Sequence, residues 1–179
     1  FCLEDQQIAG LHSHLEGAHQ NDNLGQAVAA ALLLKKAGWP VTSAACRHAA
    51  EEVRWPGRLE WWPGPPAILM DAAHNAAGVS SLAAYLRQRG LSGMPVLVAL
   101  SRGRQPAQVL KPLAGIAGDV YAVPVSVGDT VDPAEIAAWG QSEGLRAFCY
   151  STLEAGLEAA LTACSASVPL VVCGSLFLV

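Results

Sequence analysis

Asp71, His74 and Asn75 stand where an apolar run, Ala67 to Met70, gives way to a helical pattern of Val79, Leu82, Ala83 and Leu86 that stops at Gly90. An acid, an imidazole and an amide at this spacing can do several kinds of chemistry. A carboxylate accepts from hydroxyls, an imidazole orients a ligand or moves a proton near neutral pH, and an amide both donates and accepts. The pattern puts the three at the carboxyl end of a buried strand with a helix amino terminus beside them, the edge at which open α/β sheets bind ligands. A second reading has Asn75 capping the helix while Asp71 and His74 occupy an ordinary loop. The local pattern allows both.

Other candidate groups are weaker. His12 and His14 form an i, i+2 pair in a weakly alternating stretch, Ile8 to Leu15, with no carboxylate or third ligand nearby, so they read as solvent-facing side chains rather than a metal edge. Cys2, Cys46, Cys149, Cys164 and Cys173 are an odd set without a Cys-x-x-Cys pair, which suggests neither a disulfide framework nor a zinc site. Buried free thiols are the expectation. No glycine-rich phosphate loop ending in Gly-Lys-Ser or Gly-Lys-Thr occurs, and no Gly-x-Gly-x-x-Gly fingerprint.

The elements that position Asp71 and its companions follow from periodicity. Asn21, Asp22 and Asn23 offer caps for a helix striped by Leu24, Ala27, Val28, Ala31 and Leu32 and ended by Lys35, Lys36 and Gly38; a second helix runs from Thr42 or Ser43 to about Val53. The Trp55-Pro56-Gly57 stretch breaks the helical pattern. Beyond it strands and helices alternate: strands at Leu59–Trp62, Ala67–Met70, Val96–Leu100, Val120–Val123, Phe148–Tyr150 and Leu170–Cys173; helices after Asn75, from about Pro106 to Leu113, after the Asp132-Pro133-x-Glu135 start, and after a Ser151-x-x-Glu154 capping box. This predicts an α/β fold: a mostly parallel sheet with helices on both faces.

Composition fits that class. Apolar residues make up 52% and charged ones 15% of 179 residues, and the net charge of -4 with dispersed basic residues gives no footprint for nucleic acid. No apolar run reaches the roughly 20 residues of a membrane helix, and the amino terminus has no leader pattern. A cytoplasmic location is expected. The chain starts at Phe1 without Met and ends at Val179 inside an apolar run, so both ends are expected to be cut from a longer protein.

Four stretches, in order and at their spacing, carry a resemblance: Gly17-Ala18-His19-Gln20 with Asn23, Trp55-Pro56-Gly57-Arg58-Leu59-Glu60, Asp71-Ala72-Ala73-His74-Asn75, and Cys173-Gly174-Ser175-Leu176. Together they resemble the folylpolyglutamate synthase and dihydrofolate synthase branch of the Mur ligase family. The resemblance implies that residues 1–52 are the tail of a central ATP-binding domain and residues 53–179 a complete carboxyl-terminal domain, Rossmann-like, with a mixed sheet of six strands. It implies an ATP-dependent ligase in which a pteroate or folate carboxylate is phosphorylated and the acyl phosphate is attacked by the amine of glutamate. ATP and Mg2+ are the implied cofactors, bound mostly outside this chain, and a monomer is usual in the family. The chain by itself is expected to be inactive.

The resemblance also implies roles. Arg58 matches an arginine that reaches the ATP phosphates, for which a guanidinium fork is suited. Asn23 matches an asparagine at the adenine end, Asp71 an acid that binds the ribose, and His74 a group that orients glutamate or the reacting phosphate. Ser175 is placed to contact a glutamate carboxylate, and His19 and Gln20 are nucleotide-side or structural. Two departures are Ala76, where proline is usual after His-Asn, and Gly103-Arg104-Gln105, where Asp-Lys-Asp is frequent. Mur-type peptidoglycan amino-acid ligases and a non-catalytic α/β binding module are the alternatives.

Overall fold

The computed structural model describes residues 2–3, 6–126 and 129–179, without the side chains of residues 2, 3 and 6. It divides into two units, Phe1–Pro56 and Gly57–Val179. In the first, the short antiparallel strands β1 (Cys2–Leu3) and β2 (Gln6–Gln7) precede the helices α1 (Ala18–Lys36) and α2 (Ser43–Glu52). Ile8, Val28, Leu32 and Cys46 form its small core.

Helix α1 starts earlier than the caps suggested. Gly17, at φ 95°, is the N-cap residue, and Asn21, Asp22 and Asn23 lie inside the helix. Gly17 supplies the non-helical backbone at which the helix begins, and the first turns run through Asn21–Asn23 despite their low helix propensity. His12 and His14 are exposed.

The second unit carries one six-stranded sheet. Its strands are β3 (Glu60–Trp62), β4 (Ile68–Met70), β5 (Met94–Val98), β6 (Ala117–Ala122), β7 (Arg146–Cys149) and β8 (Leu170–Cys173). They lie in the order β3-β4-β8-β5-β6-β7, all neighbours parallel except the edge pair β3 and β4. The predicted mixed, mostly parallel sheet is what forms.

Alternation along each strand assigns the two faces. Leu69, Val96, Val98, Val120 and Val171 pack under α3 (Ala76–Gln88), α4 (Pro106–Val109) and α5 (Pro133–Ser142). Leu97, Tyr121, Leu170 and Val172 face the other way, toward α6 (Leu153–Thr162) and the terminal Leu178 and Val179. A strand buried on both sides has no polar face, which is why the central strands read as unbroken apolar runs.

Several element ends differ from the expectation. Pro112 has no N–H to give a helix, so α4 stops at Val109 and a 3-10 turn, Lys111–Leu113, finishes the segment. Helix α6 is capped by Thr152, whose Oγ1 accepts from Ala155 N at 3.2 Å, and not by Ser151. Strand β5 begins at Met94 and accommodates Pro95 at a register shift against β6, where a missing donor costs no ladder bond.

Candidate functional site

Strands β4 and β8 are parallel neighbours, and β5 lies beside β8, so their carboxyl ends meet at one edge of the sheet. Strand β3 runs antiparallel to β4 with Glu60 opposite Met70, which brings the amino end of β3 to that same edge. Three segments therefore converge: 57–60, 71–75 and 173–175.

Backbone hydrogen bonds tie them together. Ala72 N donates to Gly57 O at 2.8 Å, and Gly174 N donates to Ala73 O at 2.8 Å. Gly174 has φ 101°, and a Cβ there would collide with the Ala99 carbonyl oxygen at the end of β5 and stand 2.8 Å from Val98 Cγ2. Only glycine lets β8 pass so close to β5 while turning toward β4.

Asp71 is 6% exposed and is the main side-chain tie. Its Oδ2 accepts from Leu59 N at 2.9 Å and its Oδ1 from Ala73 N at 2.8 Å. Across the turn, Glu60 Oε2 accepts from Gly57 N at 2.7 Å. Leu59 is held at φ 49°, left-handed for a non-glycine residue, with its side chain 2% exposed in the core. Gly57, at φ 66°, is buried against Val179 and Ala72.

Between these two left-handed residues stands Arg58. It is half-buried, and its guanidinium takes no hydrogen-bond or ion-pair partner among the described residues. Its backbone is fixed on both sides while its charge is unspent. An arginine so placed can hold two oxygens of a phosphate or carboxylate through its fork.

His74 is also half-buried. Its Nδ1–H donates to the Ala72 carbonyl at 2.9 Å, which in the neutral ring leaves Nε2 with the lone pair. Asn75 Oδ1 accepts from Gly78 N at 2.8 Å and caps α3, so the capping reading of Asn75 holds alongside the ligand-edge placement of its neighbours.

Ser175 differs in kind. It is 0% exposed, and its Oγ accepts from Phe177 N at 3.2 Å, closing the turn after β8. Asn23 belongs to the first unit, on an exposed position of α1, where its Nδ2 donates to Gln20 Oε1 at 3.0 Å; Gln20 Nε2 in turn lies 3.1 Å from His19 Nε2. Glu60 was not singled out from the sequence. The signal for it was there in the Gly57-x-x-Glu60 spacing of a turn whose first amide needs an acceptor.

Among the described residues no group of three or more His, Cys, Asp or Glu could hold a metal ion. The thiol of buried Cys173 is pushed upward by burial and by the nearby Asp71 charge, which makes it an inert neighbour rather than a nucleophile. Cys46, Cys149, Cys164 and Cys173 are free thiols, two of them buried; Cys149 is exposed, and the side chain of Cys2 lies outside the described residues. No helix among the described residues is long and apolar enough to cross a membrane.

The family profile described as "Dihydrofolate synthetase, C-terminal domain" matches residues 64–179. The chain belongs to the dihydrofolate synthetase family. Within this family, the folylpolyglutamate synthase of Lacticaseibacillus casei is 30% identical over 99% of this chain, which spans 41% of that protein. Among solved structures, Mycobacterium tuberculosis folylpolyglutamate synthase complexed with ADP superposes with a TM-score of 0.82 at 22% identity, covering 96% of this chain and 40% of that one. The Yersinia pestis bifunctional folylpolyglutamate synthase/dihydrofolate synthase, complexed with AMPPNP and a Mn ion, superposes at 0.75 with 21% identity over 96% of this chain and 40% of that one. The chain thus spans about two fifths of the length of each of these three relatives.

Proposed function

We propose that this chain is part of an ATP-dependent ligase that adds L-glutamate to dihydropteroate, to folates, or to both, and that residues 57–179 supply its phosphate- and glutamate-side edge. In the reaction, a carboxylate oxygen of the acceptor attacks the γ-phosphorus of ATP and ADP leaves. The glutamate nitrogen then attacks the acyl carbon, loses a proton, and expels phosphate. Residues 1–52 are read as the end of the ATP-binding domain.

The observation that carries this reading is Arg58: an arginine without a partner among the described residues, on a turn pinned at the ligand-binding edge of the sheet. A fixed guanidinium stabilises charge that builds on a transferring phosphoryl group without having to reorganise. His74 offers a complementary contact. With Nδ1–H committed to Ala72 O, neutral Nε2 is an acceptor, which suits an ammonium donor such as that of glutamate better than a phosphate oxygen. Ser175 is left out of the ligand contacts because its hydroxyl is fully buried. No step is assigned to Mg2+ in this chain, since the described residues hold no metal cluster.

The test is ADP release by the purified protein as its gene encodes it, with L-glutamate and either dihydropteroate or a reduced folate. Release that requires both glutamate and one of these acceptors supports the reading. Release independent of both, or preference for a nucleotide-linked peptidoglycan precursor, counts against it.

A further inference from the structure

Six arginines lie within residues 57–179. Four of them have partners: Arg87 donates to Pro112 O at 3.3 Å, Arg89 lies over the Tyr85 ring at 5.2 Å, Arg102 pairs with Asp129 at 2.7 Å, and Arg146 pairs with Asp119. The two whose guanidinium groups have no hydrogen-bond or ion-pair partner among the described residues are Arg58 and Arg104. Both stand at one edge of the sheet. Arg104 belongs to Gly103-Arg104-Gln105, in the loop that leaves the carboxyl end of β5, and β4 and β5 flank β8 with all three strands parallel. Two interstrand spacings, about 10 Å, therefore separate the ends of β4 and β5.

The loop that carries Arg104 is held in place. Ser101 bridges to Thr130, Arg102 N donates to Asp129 O at 2.8 Å, and the Arg102 guanidinium reaches the carboxylate of the same residue. Arg104 N then donates to Ser101 O at 3.3 Å across a turn in which Gly103 has φ 82°. The Asp129 charge is engaged by Arg102, so Arg104 keeps an unspent positive charge at the ligand edge of a chain whose net charge is -4. A guanidinium fork can take both oxygens of a carboxylate.

Resting on the glutamate-ligase reading given above, we propose that Arg104 binds a carboxylate of the glutamyl tail on the acceptor, from a residue behind the one that reacts. The reacting carboxylate belongs at the Arg58 end of the edge. Each further glutamyl residue of a folate adds an α-carboxylate along the chain leading away from that end, whereas dihydropteroate adds none. Arg104 is exposed, as are Gly103 and Gln105 beside it. An open position suits a tail that lengthens into solvent. The incoming glutamate, whose nitrogen must be held against the acyl carbon, needs a more enclosed site. Arg104 is thus a specificity-determining residue for tail length and takes no part in the chemical step.

Steady-state kinetics of glutamate-dependent ADP release test this in the protein as its gene encodes it. The acceptors are dihydropteroate and reduced folates bearing one or three glutamyl residues. Arg104→Ala is expected to raise KM for the three-residue folate about fivefold more than KM for the one-residue folate, the upper end of what an exposed ion pair supplies. Arg104→Lys keeps the charge and is expected to stay within about twofold of wild type, while Arg104→Glu exceeds the alanine effect through repulsion. At about 1 M salt, where the Debye length is about 3 Å, wild type is expected to lose most of its advantage over Arg104→Ala.

Equal changes in KM for the two folates, or none, overturn the proposal. A rise confined to KM for L-glutamate assigns Arg104 to the incoming amino acid and overturns it as well. Two failures are distinguishable. Turnover of dihydropteroate but of neither folate removes the tail subsite and leaves the glutamate-ligase reading standing, whereas no glutamate-dependent turnover of any acceptor removes both.

Discussion

Replacing Gly174 by alanine probes the junction on which the edge of the sheet depends. Two costs can be worked from the structure. The residue has φ 101°, outside the range an L side chain adopts readily, and its added Cβ would meet the Ala99 carbonyl oxygen, with Val98 Cγ2 at 2.8 Å and Ala99 C at 3.2 Å. The first costs about 1–2 kcal/mol and the second, as overpacking against backbone, about 1–3 kcal/mol. Their sum, about 2–5 kcal/mol, is a large share of the roughly 5–15 kcal/mol that holds a domain folded. Gly90 separates the two costs, since it has φ 68° with nothing within 4 Å of a Cβ, so Gly90→Ala carries the backbone cost alone, about 1–2 kcal/mol. Gly115 has neither feature, and Gly115→Ala is expected within about 0.5 kcal/mol of wild type. Urea unfolding followed by far-ultraviolet circular dichroism, with slopes compared, gives all three values. If Gly174→Ala costs no more than Gly90→Ala, the close passage of β8 past β5 is not what demands glycine there.

Two further outcomes concern the far edge of the sheet. Burial, with help from the Asp119 charge, pushes the Tyr121 hydroxyl from an ordinary value of 10.0 up to about 12. The neutral form is therefore favoured by the fold, and its contribution to stability is complete below about pH 10 and lost as pH rises through about 12. Ultraviolet titration of the folded chain is expected to contain a phase near pH 12 that Tyr121→Phe removes; a titration that Tyr121→Phe leaves unchanged would contradict this. At the same place, the Arg146 guanidinium donates to both Asp119 oxygens and holds that carboxyl below its ordinary value of 3.8. The resulting stability exists above the ordinary carboxylate range and disappears as pH falls through the lowered value. Arg146→Ala is thus expected to be less stable than wild type at neutral pH, with the difference closing in acid; a difference unchanged by pH would refute the assignment.

How far the fold could be read in advance depended on what each residue does locally. Asp132 followed by Pro133 marks a helix start by two independent means, a side-chain acceptor and a fixed φ, and the Asp132 side chain indeed accepts from Ala134 N at 2.9 Å. Asn21 to Asn23 had only the first of these, and the helix ran through them. Strand β7 begins at Arg146, a charged residue whose place is set by its pairing with Asp119 on β6, and no apolar pattern could announce a long-range partner.

The candidate site shows the same division. Residue types put Asp71 and His74 at a strand end and Arg58 in a turn, and the structure brings these segments together. Where the side chains point was not legible. Ser175 has the chemistry of a ligand contact but turns inward to cap its own turn, and Asp71 has the chemistry of a hydroxyl acceptor but accepts from backbone amides of Leu59 and Ala73. Both outcomes depend on amides whose need for an acceptor arises only once β3, β4 and β8 are side by side.

The claim that the braced turn presents a phosphate-binding arginine is tested most directly by Arg58→Ala in the protein as its gene encodes it. The measurement is kcat for glutamate- and acceptor-dependent ADP release, read beside the unfolding midpoint. A loss of about a hundredfold or more, with the midpoint unchanged because Arg58 has no partner among the described residues, is the expected result. Turnover close to wild type in a folded Arg58→Ala protein would contradict it.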